Sequence, residues 1–386
     1  MLRLIFVTGT LAHGGAERHA VTVMNRLTDR GHECHAVYVK DDRPDQLARL
    51  RLRDGGTVRC LNASRYLDLD ALTDFSRHIR RVEPAGIVAA NPYALMYSVL
   101  AARGSGLRMP VVFTFHSTRI LGIKEQLKML LDRLFICAAD RIVFVCENQR
   151  RHWVSRGISP RRTQVIYNGV DTDQFSEKWN SEPRANLRRA LGFSPRDYVV
   201  GISAVLRPEK NHVQLVDAIA MLRSAGIPAR ALMIGDGPMR SVIEARARAC
   251  GLTLQREIVI TGFQEQVCPY IAACDAMALC SVTEAFSMAA LEAMALCKPV
   301  VHSDVGGAAE MILSGKNGLL FPVGDTNAFV DKLAMLADRV VSRRMGTNAR
   351  KAVEALFSER SMVDRYEQLL LDLCRVRVGA EGAVLN

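Results

Sequence analysis

The sequence predicts an α/β protein made of two doubly wound domains, and three observations carry that expectation. The chain has 386 residues, more than one hydrophobic core usually organises. Short, nearly continuous apolar runs alternate with amphipathic segments, as parallel strands buried on both faces alternate with their crossover helices. Past a polar stretch near the middle of the chain, the series starts again.

Each element can be justified in turn. LRLIFVTG, at residues 2–9, reads as a buried strand, and residues 15–30 carry a helical pattern. The opening MLRLIFVTGT is basic and apolar. Its apolar run is too short for a secretory signal and ends in Gly-Thr rather than a small-residue cleavage site. The strands ECHAVYV, GIVAAN, PVVFTFH and RIVFVC follow. YVVGISAV, ARALMIGD, EIVITGF, DAMALCS and KPVVHSD form the second series. The expected division is a first domain over 1–175, a connection over 176–195, a second domain over 196–357 and a helical segment over 358–386 that packs back toward the first domain. Two doubly wound sheets are expected to face a central cleft with their strand C-termini, where ligands bind. No apolar run approaches the length of a membrane-spanning helix, about 20 residues.

Composition narrows the class. Hydrophobic residues make up 49% of the chain, without low-complexity tracts, so an ordered globular protein is expected. The ten cysteines are scattered with no Cys-x-x-Cys pair. That pattern fits reduced thiols in a cytoplasmic protein and disfavours a disulfide framework or a zinc site. The net charge is +11, unevenly spread: residues 1–180 hold 27 Lys and Arg against 18 Asp and Glu. The basic half is expected to face something anionic, whether nucleic acid, a membrane surface or a phosphorylated substrate. No aromatic-rich basic platform or nucleic-acid module is evident, so a nucleic-acid partner is not expected.

Four stretches carry chemistry. In TGTLAHGGAERHAV, Gly14 and Gly15 stand where the first strand becomes a helix. Glycine there lets a phosphate approach free helix N–H groups, although two glycines also simply make a tight turn. The pattern is not a Gly-x-Gly-x-x-Gly fingerprint, so a nicotinamide cofactor is not indicated. In SAVLRPEKNH, Arg207 and Lys210 follow a buried strand, where a guanidinium and an ammonium suit a diphosphate; an ordinary solvated loop reads the same way. MIGDGPMR places Gly235 in a tight turn before a helix. In TEAFSMAALEAMALCKPV, Glu284 and Glu292 stand eight positions apart, among small apolar residues and with no cation between them. Glu284 is expected in a loop and Glu292 in a helix, each accepting paired hydrogen bonds from sugar or ribose hydroxyls. The N–H groups near Phe286 and Ser287 would point at a phosphate between them. An all-helical path between the acids would rise roughly 12 Å. Exposure of both on a surface helix is the alternative.

This last stretch resembles the Glu-x7-Glu motif of the retaining nucleotide-sugar glycosyltransferases of family 4, which have the GT-B fold of two Rossmann-like domains. GGAER, VIYNGVDTDQF, RPEKN, GDGP, TGF, DVGGAAE and NGLLFP are similar to the family's other motifs and stand in its order from Gly14 to Pro322. Two positions depart. Ala285 follows the first glutamate where the family commonly has glycine, and Leu206 precedes Arg207 where glycine is common.

The resemblance implies that Gly15 lets the N-terminal loop approach the phosphates. It implies that Arg207 and Lys210 neutralise a diphosphate leaving group, and that Glu284 binds the donor sugar and Glu292 the ribose. His116 matches a histidine beside the donor sugar, although a lone histidine at a strand end is often structural. The implied reaction is transfer with retention from a nucleoside-diphosphate sugar, UDP being the expected carrier, without a metal or other cofactor. The Asp-x-Asp triplets at 68–70 and 171–173 are not read as metal sites. The acceptor implied is a glycan or glycolipid in envelope lipopolysaccharide or polysaccharide synthesis.

Residues 119–135 read as an amphipathic helix, with Leu121, Leu127, Leu130, Leu131 and Leu134 against Arg119, Lys124, Lys128 and Arg133. Such a helix can rest on an anionic membrane at its cytoplasmic face, or bury its leucines in the core. Two rival functions stay open: a sugar-nucleotide epimerase of the same fold, and a catalytically silent sugar-nucleotide or glycan-binding protein.

Overall fold

The computed structural model describes the chain apart from residues 13, 43, 44, 54, 117–131 and 383–386 and the side chains of residues 180 and 376–382. The amphipathic segment read over 119–135 therefore lies outside the described residues as far as 131. The chain forms two compact units, Met1–Tyr167 with Ser361–Asn386, and Asn168–Arg360.

The first unit holds a seven-stranded sheet in the order β3-β2-β1-β4-β5-β6-β7. Its strands are β1 (Arg3–Thr8), β2 (Glu33–Tyr38), β3 (Val58–Cys60), β4 (Gly86–Ala89), β5 (Val111–Phe115), β6 (Arg141–Phe144) and β7 (Thr163–Val165). Every pairing is parallel. Successive side chains point to opposite faces, so β1 feeds two layers. Ile5 and Val7 join Phe75, Ile87 and Phe113 on one side. Leu4 and Phe6 meet Val23, Leu27, Tyr366 and Leu370 on the other. That second layer combines the helix Gly15–Asp29 with the returning helix Glu359–Gly382. Arg30 bonds both Asp364 and Glu367 at 2.5 Å, and His32 reaches Glu367 at 2.8 Å, which ties the returning helix to the first β–α–β turn.

The second unit holds a six-stranded parallel sheet in the order β10-β9-β8-β11-β12-β13. Its strands are β8 (Tyr198–Ser203), β9 (Ala229–Ile234), β10 (Ile258–Ile260), β11 (Ala276–Leu279), β12 (Val300–Ser303) and β13 (Leu319–Phe321). Residues 176–195, expected to be a connection, fold into this unit instead. Arg184 and Arg188 of the helix Glu182–Ala190 both bind Asp275, at 2.5 and 3.1 Å. Asp275 in turn accepts the Val199 amide at 2.8 Å, which pins the start of β11 to β8. The chain enters the second unit at Asn168, eight residues before the expected boundary.

Three strands escape the sequence reading: β3, β7 and β13. Each is three residues long and stands at a sheet edge, without the run of β-branched residues that makes the equally short β10 recognisable. Among the described residues, no helix is long and apolar enough to cross a membrane.

Six histidines are held neutral, with burial the first cause for each. His78, His116 and His212 are pushed down to about 4. His19 is held well below its usual range, and His35 and His302 are lowered. The unfolded chain takes up these protons near pH 6.5, while in the folded chain all six resist them below that, His78, His116 and His212 until about pH 4. Their contribution to stability is therefore complete above about pH 6.5 and is lost as pH falls toward 4. Melting temperatures measured from pH 7.5 to 5 at constant salt are expected to decline; a flat profile would refute the neutral assignment.

Candidate functional site

In a doubly wound sheet the ligand crevice lies beyond the strand C-termini where the strand order reverses. In the second unit that point lies between β8 and β11, which pair through Val200 and Ala276. The loop after β8 carries Arg207 and Lys210, and the loop after β11 carries Glu284. The two loops meet: Lys210 Nζ lies 2.5 Å from Glu284 Oε2. The cation missing between the two acids thus arrives from 74 residues earlier. The Ser281 hydroxyl also reaches Glu284 Oε2, at 3.5 Å, and Val282 N donates to Glu209 O at 2.9 Å, joining the two backbones.

Arg207 projects outward, with 61% of its side chain exposed and Glu209 at 3.9 Å. Its neighbour Leu206 is fully buried. Leu206 N donates to Asp236 O at 3.0 Å, and Met239 N donates to Leu206 O at 2.9 Å. The leucine that departs from the family pattern is thus the loop's anchor, while the guanidinium beside it lies toward solvent, paired with Glu209. Gly235 packs against this loop. A Cβ there would stand 2.1 Å from the Ala204 carbonyl, at φ +146°.

The helix Met288–Ala295 begins after Ser287, whose hydroxyl accepts the Ala290 amide at 3.3 Å. Glu292 lies in this helix and is 4% exposed. Residues 284–287 are not helical, so the rise of an unbroken helix does not apply between the two acids. Ala285 has no positive φ, which is why alanine is accepted there. The strained position lies beneath it, at Gly306. Its φ is +56°, and a Cβ would meet the Glu284 carbonyl oxygen at 2.0 Å. Gly307 N holds Ala285 O at 2.8 Å. This Gly-Gly pair, quoted for the resemblance without a role, is the floor of the glutamate loop; its sequence signal is two glycines just after a buried strand. His212 and His302 were also missed. Both are buried, which lowers their pKa; the Lys210 charge adds to this at His212, while at His302 the Ser303 carbonyl and Glu284 partly offset it. His302 meets Ser303 O at 2.6 Å, and the Ser303 hydroxyl donates to Ser281 O at 2.6 Å, continuing the polar layer under Glu284.

The first unit holds Gly15 and His116. Gly14 caps the helix Gly15–Asp29 in extended backbone with no side-chain capping bond, and the Glu17 carboxylate folds back over this end onto its own amide. A Cβ on Gly15 would meet none of the described residues within 4 Å. His116 follows β5, and its ring lies 4.6 Å from that of His19, which in turn lies 5.4 Å from Tyr366. Kept neutral by burial, His116 offers hydrogen bonds rather than charge.

The Asp-x-Asp triplets have structural roles. Asp68 caps the helix Leu69–Val82 by accepting from Asp70 N and Ala71 N. With Ser64 N also donating, its carboxyl is held at about 2. Asp171 Oδ1 accepts from Asp173 N and Gln174 N at 2.9 Å. Among the described residues, no group of three or more His, Cys, Asp or Glu side chains could hold a metal ion.

Two parallel α/β units of this kind are the architecture of the GT-B fold. Residues 13–174 match the family model described as Glycosyltransferase Family 4, and residues 183–352 match that of Glycosyl transferases group 1. The protein belongs to the family 4 glycosyltransferases. It is 27% identical to N-acetyl-alpha-D-glucosaminyl L-malate synthase of Bacillus anthracis, over 94% of this chain and 95% of that one. It is 23% identical to the UDP-Gal:alpha-D-GlcNAc-diphosphoundecaprenol alpha-1,3-galactosyltransferase of Escherichia coli, over 81% and 82% of the two chains. The crystal structure of Anabaena HepE in complex with UDP superposes with a TM-score of 0.85 at 22% identity, covering 96% of this chain and all of that one.

Proposed function

We propose that the protein moves a sugar from a nucleoside-diphosphate sugar, with UDP as the carrier, to an acceptor hydroxyl with retention of configuration. The observation that carries this reading is the meeting of Lys210 and Glu284 at the switch point. An ammonium has three donors and a carboxylate two oxygens. Lys210 can therefore keep Glu284 Oε2 while donating to a phosphate, and Glu284 Oε1 remains for a sugar hydroxyl. Arg207 swings onto the diphosphate from its exposed position.

In the proposed reaction the bond from the anomeric carbon to the β-phosphate oxygen breaks, and its electron pair leaves with the diphosphate. The acceptor hydroxyl bonds to the same face of that carbon, and its proton passes to an oxygen of the departing diphosphate. Charge develops on the leaving group, where Arg207, Lys210 and the helix N-terminus at Ser287 stabilise it. Glu292 holds the ribose. The two named relatives use L-malate and a diphospholipid-linked sugar, both anionic. The basic first half of this chain fits an anionic acceptor of that kind, such as a lipid-linked glycan of envelope polysaccharide or lipopolysaccharide synthesis.

Calorimetric titration of a panel of nucleoside-diphosphate sugars, with a chelator present throughout, tests the reading. One donor is expected to bind wild type, and Glu292→Ala is expected to weaken it at least about tenfold, the loss of charged hydrogen bonds worth about 1.5–3 kcal/mol. Folded protein that binds no donor would overturn the assignment. Binding that appears only when Mn²⁺ replaces the chelator would overturn its metal independence.

A further inference from the structure

The point where the chain crosses into the second unit lies against the glutamate loop, and one side chain there is poorly used. Asn168 is 7% exposed. Its Nδ2 reaches the Phe286 carbonyl at 3.4 Å, long for an amide hydrogen bond. Its Oδ1 is sealed from solvent and has no partner among the described residues. A buried orphan acceptor is destabilising, so stability alone would favour an apolar residue here. Unsatisfied buried groups of this kind call for a functional explanation.

The surroundings are rigid. Gly169 lies directly on the returning backbone: a Cβ there would stand 2.6 Å from Ser358 O and 2.7 Å from Glu359 Cα. Val170 N donates to Phe357 O, and Glu359 N donates to Val170 O, both at 2.9 Å. Phe357 then packs its ring 5.5 Å from that of Phe286. Residues 168–170 and 357–359 thus form a paired platform that meets Phe286 twice, through a phenyl ring and through the Asn168 amide. Phe286 lies between Glu284 and the helix that begins at Met288.

We propose that Asn168 is a positioning residue for the donor site, its amide holding the Phe286 carbonyl so that the backbone N–H groups at the start of the 288–295 helix face the diphosphate. The inference rests on the proposed function in taking a diphosphate as the ligand. It predicts that Asn168 acts on nucleotide affinity out of proportion to its effect on stability. Two variants probe it: Asn168→Ala removes the amide, and Asn168→Asp keeps its shape but turns the donor into an acceptor. Tyr198→Phe is the control. It deletes a buried hydrogen bond from Tyr198 to Leu333 O in the same unit, without touching the loop.

UDP and the UDP-sugar selected from the panel are titrated into each variant, and hydrogen exchange is followed at residues 284–288. Both Asn168 variants are expected to bind UDP and UDP-sugar about tenfold more weakly, by the same factor, and to exchange faster at 284–288. Tyr198→Phe should lower the melting temperature with affinity and loop exchange unchanged. Asn168 variants that lose no more affinity than Tyr198→Phe, with normal exchange at 284–288, would overturn the proposal. If wild type binds no nucleotide, the functional reading fails, and the exchange measurement still decides whether Asn168 holds the loop.

Discussion

Lys210→Ala is expected to lower turnover by about two to three orders of magnitude, the range found when one charge partner of a developing anion is removed. The proposed reaction has little covalent chemistry for the protein to perform, so the barrier is lowered mainly where negative charge appears on the departing diphosphate. The loss should fall on kcat more than on KM, because that charge is largest in the transition state. Lys210 also holds Glu284, at 2.5 Å, so the variant leaves a half-buried carboxylate facing the incoming phosphates. Glu284→Gln separates the two effects. It frees the ammonium and removes a repelling charge, so UDP should bind at least as well as to wild type while sugar transfer still falls. Steady-state kinetics of both variants with a fixed acceptor decide the matter. Turnover within about threefold of wild type for Lys210→Ala would place that lysine outside the chemistry.

The second large effect is expected at Gly306, which touches no ligand in this reading. Left-handed backbone costs a non-glycine residue about 1–2 kcal/mol. Here the added methyl would also lie 2.0 Å from the Glu284 carbonyl oxygen, which is backbone and cannot step aside alone. Gly306→Ala should therefore displace residues 284–286 and weaken donor binding by at least about tenfold, a loss of about 1.4 kcal/mol or more. Gly226→Ala is the matched control: φ is +83°, and nothing lies within 4 Å of the new methyl. It should destabilise the protein through backbone strain yet leave donor affinity unchanged. Equal affinities in the two variants would show that the glycine floor does not shape the glutamate loop.

Much of this was legible before any coordinates. The long central strands announced themselves because each is a run of apolar residues buried on both faces, and their alternation with amphipathic segments required parallel pairing. The edge strands β3, β7 and β13 did not, because none carries the unbroken β-branched run Ile258–Ile260 that marks β10, an edge strand of the same length. The 176–195 stretch misled for a related reason. Its charges read as a solvated connection, whereas Arg184 and Arg188 are turned inward onto Asp275. Sequence composition cannot tell a paired arginine from a hydrated one.

The site divides along the same line. Arg207, Lys210, Glu284 and Glu292 were recognisable as residue types in motif positions, and the helical placement of Glu292 followed from its small apolar neighbours. The partner of Glu284 was not recognisable. Lys210 and Glu284 meet only because β8 and β11 are neighbours in a sheet whose strand order reverses between them. That adjacency is a property of topology rather than of either segment. The same holds for Gly306 beneath Glu284, and for Asn168, which reaches Phe286 across 118 residues. By itself the sequence determined the two-unit α/β architecture, the family and the chemical types of the site residues, because local periodicity and motif order encode them. The tertiary structure alone decided which charges pair and which glycine supports the loop. Those contacts exist only once distant strand ends are brought side by side.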